Sequence, residues 1–253
     1  IHALIKGGRI KEVSDGSQVN LELIMALSPD IVITSAIGTP EYDAHPQLTR
    51  AGIPVALSAG YMETTPLGRA EWIKFTAAFF GKDSEAEIVF QEIEKNYRKI
   101  SALVKTTGHK PTVVSNGVWG GNWHIPGGKS YAARLLQDAG SDYLWKENSS
   151  SGGIPMDFEV IYSKAIHADF WLNPGQAFRN INTLLETDSR FGDFKSVKNS
   201  QVYNFNRRIS EYGANDYFER GTLHVDEVLS DLIKIFHPEL LPDHHFIYYR
   251  QLE

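Results

Sequence analysis

The sequence predicts an α/β fold of two three-layer α/β lobes that are joined by a single long backbone helix, with a ligand cleft between the lobes. Short apolar runs alternate with helical stretches in both halves of the chain, which is typical of parallel sheets covered by helices. One amphipathic stretch near the middle predicts a helix about 30 Å long. The segments 20–34 and 157–173 also share one order: a helix that carries a glutamate, then an aspartate, then an apolar strand.

The first lobe is predicted over residues 1–83. A helix is expected over residues 20–27 and is followed by a buried strand in "DIVITSA". A second strand is expected in "IPVALSA", and Thr65 and Pro66 begin a further helix because proline is tolerated at the first helical position.

The connecting helix is predicted over residues 84–107. Its start carries "SEAE", which has the pattern of a capping box at Ser84. An apolar stripe then recurs every three or four residues, as on one face of a helix, at Val89, Ile93, Tyr97, Ile100 and Val104.

The second lobe is predicted over residues 108–253, where the alternation resumes. Strands are expected in "PTVVSNG", "ADFWLNPG" and "QVYNF". Helices are expected over residues 130–139, 157–166 and 216–236.

Composition excludes several classes of function. The 253 residues carry a net charge of -6, so the chain offers no basic field for nucleic acid, and it contains no cysteine for disulfides or thiolate metal sites. The nine histidines are scattered, so direct carriage of a bare metal ion is not expected. No GxSxG, HExxH or GxGxxG motif is present, which favours a non-enzymatic protein. Because the chain begins with Ile1, we expect a processed or trimmed form.

The segment "GVWGGNWHIPGGKSYAARLL" resembles a phosphate-binding loop only in part. Gly128, Lys129 and Ser130 fit, but Trp123 stands where the motif requires the first glycine. We therefore interpret it as a loop that holds a flat or bulky ligand rather than a nucleotide. Its candidate ligand contacts are Trp119, Trp123 and Tyr131, each of which could instead be a packing residue, and His124, which could ligate haem iron or serve only as a hydrogen-bonding residue.

Further candidates for ligand binding follow predicted strands, because ligands of α/β proteins bind where strands end. Tyrosines could donate hydrogen bonds to a ligand, and arginines suit an anionic one, although each arginine could instead form a surface salt bridge. The residues are Tyr42 and Tyr61 in the first lobe and Arg179, Arg207, Arg208 and Tyr212 in the second.

Five stretches in this order resemble the helical-backbone (class III) substrate-binding proteins of bacterial ABC importers. They are "VNLELIMALSPDIVIT", "AGIPVALS", "HIPGGKSYAARLLQDAGSDYL", "PMDFEVIYSKAIHADFWL" and "NDYFERGTLHVDEVLSDLIKIFHPELL". The resemblance implies a monomeric carrier without a cofactor, which binds an iron chelate such as a ferric siderophore or haem and delivers it to the permease subunits. It implies a periplasmic or other extracytoplasmic location, and it leaves open whether a segment outside this sequence carries a lipid anchor. It also implies that Glu41 and Glu219, one in each lobe, dock onto arginines of the permease.

The resemblance leaves alternatives open. The family begins with a further strand–helix segment, whereas only residues 1–18 precede "VNLEL" here, so the first lobe is expected to lack that segment or to be abbreviated. A vitamin B12 (cobalamin) carrier is the rival within the family. Outside it, the rivals are a cytoplasmic chelatase-like enzyme and a docking protein without a small-molecule ligand.

Overall fold

The computed structural model describes residues 2–15, 18–39 and 43–253. The chain forms two compact units, Ile1–Met62 and Glu63–Glu253. The predicted boundaries at residues 83 and 108 therefore do not coincide with the unit boundary. The reason is that the long helix packs against helices before and after it within the second unit.

The first unit contains the two predicted strands as a parallel pair, but Ile33 in the first strand is 39% exposed, so this strand is not buried as expected. Asn20 caps the helix that precedes this pair, because its side chain accepts a hydrogen bond from the Leu23 amide at 2.9 Å. The elements in chain order are α1 His2–Lys6, β1 Ser14–Asp15, β2 Gln18–Val19, α2 Leu21–Leu27, β3 Val32–Thr34, α3 His45–Arg50 and β4 Val55–Leu57. Strands β1 and β2 pair antiparallel, and β3 and β4 pair parallel.

The second unit carries most of the regular structure. Its helices are α4 Pro66–Glu71, α5 Ile73–Ala78, α6 Asp83–Leu103, α7 Tyr131–Asp138, α8 Phe158–Ala165, α9 Ile181–Thr187, α10 Lys195–Lys198 and α11 Val225–Phe236. Its strands are β5 Thr112–Ser115, β6 Val118–Trp119, β7 Asn122–Pro126, β8 Asp142–Tyr143, β9 Gly153–Met156, β10 Phe170–Leu172, β11 Val202–Asn204 and β12 Arg250–Gln251.

Five of these strands form the main sheet, in the order β12-β11-β10-β5-β8. The four strands from β11 to β8 are parallel, and β12 is an antiparallel edge strand. Val114, Trp171 and Val202, one on each of three parallel strands, are fully buried. Such near-continuous apolar runs are typical of parallel strands that are covered on both faces. Each of these side chains contributes about 1.5–3 kcal/mol through its removal from water.

The long helix α6 lies where it was predicted, but the predicted cap at its start is wrong. It begins at Asp83, so Ser84 lies in the first turn and does not cap the helix. Ile93, Tyr97 and Val104 are buried as the stripe predicts. Val89 is exposed, and Phe90 takes its place in the core.

Two other helices near predicted starts begin with a side-chain cap. The hydroxyl of Thr65 accepts a hydrogen bond from the Gly68 amide at 3.1 Å, and Ser130 caps α7 in the same way through Ala133 at 3.2 Å. The last helix begins later than predicted, at Val225 instead of Asp216. The side chain and carbonyl of Asn215 bind the amides that follow it, so the chain forms turns before the helix.

The predicted glycine-rich loop is a β-hairpin. Strands β6 and β7 pair antiparallel around Gly120 and Gly121, which have φ angles of 60° and 84°. A two-residue turn with both residues in the left-handed region matches the twist of a hairpin, and glycine adopts it without strain. Strand β7 pairs in turn with β9 to complete a three-stranded sheet.

Candidate functional site

The carboxyl edge of the main sheet brings together the loops that leave β5, β10 and β11. Two of these loops begin with an asparagine in the left-handed region, Asn116 with a φ of 63° and Asn173 with a φ of 59°. Asparagine is among the few residues that tolerate this conformation, which here turns the chain away at the end of a strand. Crevices at the carboxyl ends of parallel strands are the usual ligand sites of α/β proteins.

Two buried tryptophans hold the base of this edge. The indole N–H of Trp171 donates to the Asn116 carbonyl at 2.7 Å, and that of Trp123 donates to the Ser115 carbonyl at 3.2 Å. The two rings stack with centroids 4.9 Å apart. The loop after β5 is therefore fixed to the core by its own carbonyl groups.

The prediction that Trp123 contacts ligand is wrong. Its side chain has no exposed surface and belongs to the hydrophobic core. Side chains alternate between the two faces of a strand, so Trp123 points into the core while Asn122 and His124 lie on the other face of β7.

Trp119 and His124 lie together on the outer face of the hairpin. Their ring centroids are 5.6 Å apart in an edge-to-face arrangement. Trp119 is 78% exposed, which is unusual for so large an apolar side chain, whereas His124 is half-buried. The ligand contacts predicted for these two residues remain predictions, and the structure gives them a common surface.

Tyr131 is half-buried at the start of α7. The guanidinium carbon of Arg69 lies 4.0 Å from the centre of its ring, a cation–π contact. Burial raises the pKa of the Tyr131 phenol, so it stays protonated at neutral pH and can act as a hydrogen-bond donor.

The sequence predicts that the segment Gly127–Ser130 is not a phosphate-binding loop, and the structure agrees. The amides of Gly127 and Lys129 already donate to the carbonyls of Gly152 and Ser150, at 2.8 and 2.9 Å. A Cβ atom on Gly128 would lie 2.4 Å from the Lys146 carbonyl oxygen, so carbonyl groups occupy the space that a phosphate would need.

Two buried asparagines fix the loop after β10. The side-chain amide of Asn204 donates to the carbonyls of Gly175 and Phe178 at 2.7 and 3.0 Å. Asn206 donates in the same way to Gln176 and Phe178, at 2.8 and 2.7 Å. This double clamp holds the backbone immediately before Arg179.

The predicted arginines lie on loops at this edge and are exposed. Arg208 forms an ion pair with Asp216, with 2.6 Å between Nε and Oδ2. The alternative role of a surface salt bridge therefore holds for this arginine. The guanidinium groups of Arg179 and Arg207 have no ion-pair partner within residues 2–15, 18–39 and 43–253. These two remain available to an anionic ligand.

An aromatic cluster that the sequence analysis missed lies beside the arginines. Phe205 and Tyr217 stack with centroids 4.8 Å apart, and Phe218 packs edge-on against both at 5.1 and 5.2 Å. Phe218 is 54% exposed, and the predicted contact Tyr212 is 56% exposed on the same loop. The prediction of one helix from residue 216 hid this loop, although Asn215 directly before it is a residue type that favours turns.

Three buried polar atoms at this edge have no hydrogen-bond partner in the described part of the chain. They are Oδ1 of Asn173, Oδ1 of Asn206 and Nδ2 of Asn215. Buried polar groups are nearly always paired, so an accumulation of unpaired amide groups next to one loop cluster is uncommon.

The remaining predicted residues lie in the first unit or shortly before α11. Tyr61 is 46% exposed, and its phenol donates to the Ala36 carbonyl at 2.5 Å. Glu41 and Tyr42 lie outside the described residues. Glu219 is exposed, and the next residue, Arg220, is bound to Glu227 and donates to the Tyr248 hydroxyl at 2.8 Å.

Direct metal ligation finds no support in the side chains that the structure describes. No group of three histidine, aspartate or glutamate side chains in this part of the chain is arranged to hold an ion. None of its helices is long and apolar enough to cross a membrane.

Comparison with known proteins places the chain in a family. The sequence profile described as periplasmic binding protein matches residues 4–208, most of the chain. The chain belongs to the periplasmic binding protein family. An uncharacterised lipoprotein of Methanocaldococcus jannaschii is 30% identical over 247 residues, which cover 94% of this chain and 55% of that protein. The chain therefore spans about half the length of this curated relative.

Solved structures of the family share the fold. A periplasmic haem-binding protein of Pseudomonas aeruginosa superposes with a TM-score of 0.71 at 17% identity, over 99% of this chain and 86% of that one. The CeuE protein of Helicobacter pylori with bound Ni(II) gives a TM-score of 0.69 at 21% identity, over 96% and 73% of the two chains. These likenesses confirm the mixed α/β fold of the two-lobed periplasmic binding proteins, and at such identities they concern the fold alone.

Proposed function

We propose that this protein is the substrate-binding component of an ABC importer, which binds an iron chelate and delivers it to a membrane permease. The observation that carries the proposal is the carboxyl edge of the main sheet. There the guanidinium groups of Arg179 and Arg207, which form no ion pair with any residue that the structure describes, lie on loops at the same edge as the exposed rings of Trp119, Tyr212 and Phe218.

The chemistry of this edge favours an anionic and partly flat ligand. Aromatic rings supply large apolar faces, and guanidinium groups bind carboxylates in a bidentate geometry. A ferric siderophore or haem offers both features. One protein of similar fold is named as haem-binding, which supports this ligand class.

Vitamin B12 is the second candidate ligand. A corrin ring would also use the aromatic faces of Trp119 and Phe218, but it makes less use of two unpaired arginines. A catalytic role, such as that of a chelatase, is disfavoured because the family consists of solute-binding proteins.

Location and partners follow from the same proposal. The similar Methanocaldococcus protein is named a lipoprotein, which supports an extracytoplasmic location and a lipid anchor. Delivery requires a permease, and the exposed Glu219 next to the aromatic cluster is the candidate contact in the second unit. The corresponding candidate in the first unit is Glu41.

A thermal-shift screen against ferric siderophores, haemin and cobalamin tests the ligand class. A ligand present at one hundred times its Kd adds about 2.7 kcal/mol to the free energy of unfolding. The stabilisation should be lost in the double variant Arg179→Gln and Arg207→Gln. It should persist in Arg190→Gln, which removes an exposed arginine that is already paired with Asp188. Stabilisation by cobalamin alone, retained in the arginine variant, would favour the second candidate.

A further inference from the structure

A cavity lies at the opposite, amino edge of the main sheet. Its volume is about 700 Å³, within the range of small-molecule sites. Its walls are the start of α4, the last turns of α6 and the end of α7, and Gly140 before β8 closes one side. Helix α7 begins with Tyr131 near the carboxyl edge and ends with Asp138 in this cavity, so the two sites are separate.

The walls of this cavity carry an excess of positive charge. Four cationic side chains line it, and among the lining residues that the structure describes the only carboxylate is that of Asp138. Like charges around one space repel each other unless an anion lies between them. The four cations are Arg98, Lys105, Lys110 and Arg134.

The single carboxylate is already engaged. Both oxygens of Asp138 accept from Nε of Arg134 at 3.0 Å, and one also accepts from the Tyr97 hydroxyl at 2.8 Å. Arg98 is likewise bound to Glu94 at 2.7 Å on the same helix. Lys105 and Lys110 have no ion pair or hydrogen bond of the side chain to any residue that the structure describes.

Neutral donors and a rigid wall complete the cavity. The Gln137 side chain lines it, and the Thr65 hydroxyl accepts from the Gly68 amide and so keeps its hydrogen available for donation. Gly140 has a φ of 81°, and a Cβ atom there would lie 2.8 Å from His237 Nε2 and 2.9 Å from the Val104 Cβ. The turn at Gly140 is therefore fixed by close packing.

We propose that this cavity is a second ligand site, which binds a small anion with two or more negative charges, of the phosphate-ester or polycarboxylate class. Lys105 and Lys110 supply the two unpaired positive charges, and Gln137 and Thr65 supply hydrogen bonds. The cations of Arg98 and Arg134 add to the local potential although each already has a partner. The proposal does not depend on the identity of the metal chelate.

Calorimetric titration with inorganic pyrophosphate tests this site. Wild type should bind, and Lys105→Gln with Lys110→Gln should weaken binding about tenfold or more, because the unpaired charges are lost. The matched control, Lys95→Gln with Lys198→Gln, removes the same charge from exposed lysines outside the cavity and should bind as wild type does. Asp138→Asn should strengthen binding, since the amide still accepts from Tyr97 but no longer neutralises Arg134.

Several outcomes would overturn the proposal. One is a wild-type protein that binds no pyrophosphate, and another is an equal loss of affinity in the control variant, which would indicate only net charge. A loss in Arg179→Gln with Arg207→Gln, but not in the lysine variant, would place the anion at the carboxyl edge. Haemin and siderophore binding should be unchanged in the lysine variant. A failure of the anion-site proposal can therefore be distinguished from a failure of the proposed transport function.

Discussion

Gly117 and Pro174 approach each other so closely that a Cβ atom on Gly117 would lie 2.1 Å from the Pro174 carbonyl oxygen. These residues belong to the loops that leave β5 and β10, so the contact joins two of the three loops of the candidate site. No side chain fits between them. The close approach of these two loops thus requires glycine, which has no side chain, at position 117.

Gly117→Ala should therefore disturb both stability and the site. Inserting a methyl group into packed structure costs about 1–3 kcal/mol, and here it would push the two loops apart. Urea unfolding measures the loss of stability, and chelate titration measures the effect on the site. Gly108→Ala is the matched control, because no described atom outside its chain neighbours lies within 4 Å of the position that the new methyl group would take. Equal stability of the two variants would contradict this account.

The two tryptophans of the hairpin should respond differently to alanine. Trp123→Ala should lower the free energy of unfolding by about 3–5 kcal/mol, because it empties a fully buried position. Trp119→Ala should change stability by less than about 0.5 kcal/mol, since its side chain is largely exposed.

Ligand affinity should depend directly on Trp119, although the stability of the protein does not. Trp119→Ala should weaken chelate binding by about 1–3 kcal/mol, the scale of a lost aromatic anchor, while the protein stays folded. Quenching of tryptophan fluorescence by the ligand should also decrease in this variant. Unchanged affinity together with unchanged quenching would remove the outer face of the hairpin from the site.

The fold was predictable wherever local signals act alone. The caps Asn20, Thr65 and Ser130 each bind the amide three residues ahead, so the start of each helix depends only on neighbouring residues. The strands of the parallel sheet follow from apolar runs for the same reason.

The site was predictable only in part, because it depends on contacts between distant segments. The sequence "VWGGNW" indicates two tryptophans near glycines, but only the hairpin register makes Trp123 a core residue and leaves Trp119 outside. The cluster around Phe218 depends on turns that Asn215 stabilises, which interrupt an otherwise helical pattern. That Arg179 and Arg207 form no ion pair within the described part of the chain is a property of the folded surface and has no signature in sequence.

Acid should weaken the attachment of β10 to β5. Burial acts to raise the pKa of Asp169, but hydrogen bonds from Lys195 at 2.6 Å and from the Thr112 hydroxyl and amide outweigh it and lower the pKa overall. A pKa that is lower in the folded state stabilises the protein above the unfolded value of about 3.9. This stability is lost as the pH falls through the folded pKa.

Asp169→Asn tests this linkage. At neutral pH it should lower the free energy of unfolding by about 1–3 kcal/mol, the scale of hydrogen bonds to a charged group. The difference from wild type should shrink as the pH falls below about 4, where Asp169 itself becomes protonated. Urea unfolding at about pH 7 and about pH 3 gives the comparison, and a difference that stays constant with pH would contradict it.

Glu219 should separate transport from ligand binding. If this exposed carboxylate docks onto a cationic residue of the permease, then Glu219→Lys places like charges together at the contact. Such a juxtaposition costs several kcal/mol and slows the encounter of the partners. Uptake and permease-stimulated ATP hydrolysis should therefore fall, whereas chelate affinity of the isolated protein should stay near that of wild type. The double variant Glu41→Lys with Glu219→Lys should lose more transport than either single variant.

Glu211→Lys is the matched control, because it reverses an exposed glutamate eight positions earlier on the same loop. Both single variants change the net charge equally, so a general effect of charge would reduce transport in both. Docking through Glu219 requires a loss in Glu219→Lys that Glu211→Lys does not share. Normal transport in the double variant would make Glu41 and Glu219 ordinary surface charges. A loss of chelate affinity in Glu219→Lys would instead place this residue within the ligand site, since its neighbour Phe218 already belongs to the exposed aromatic cluster.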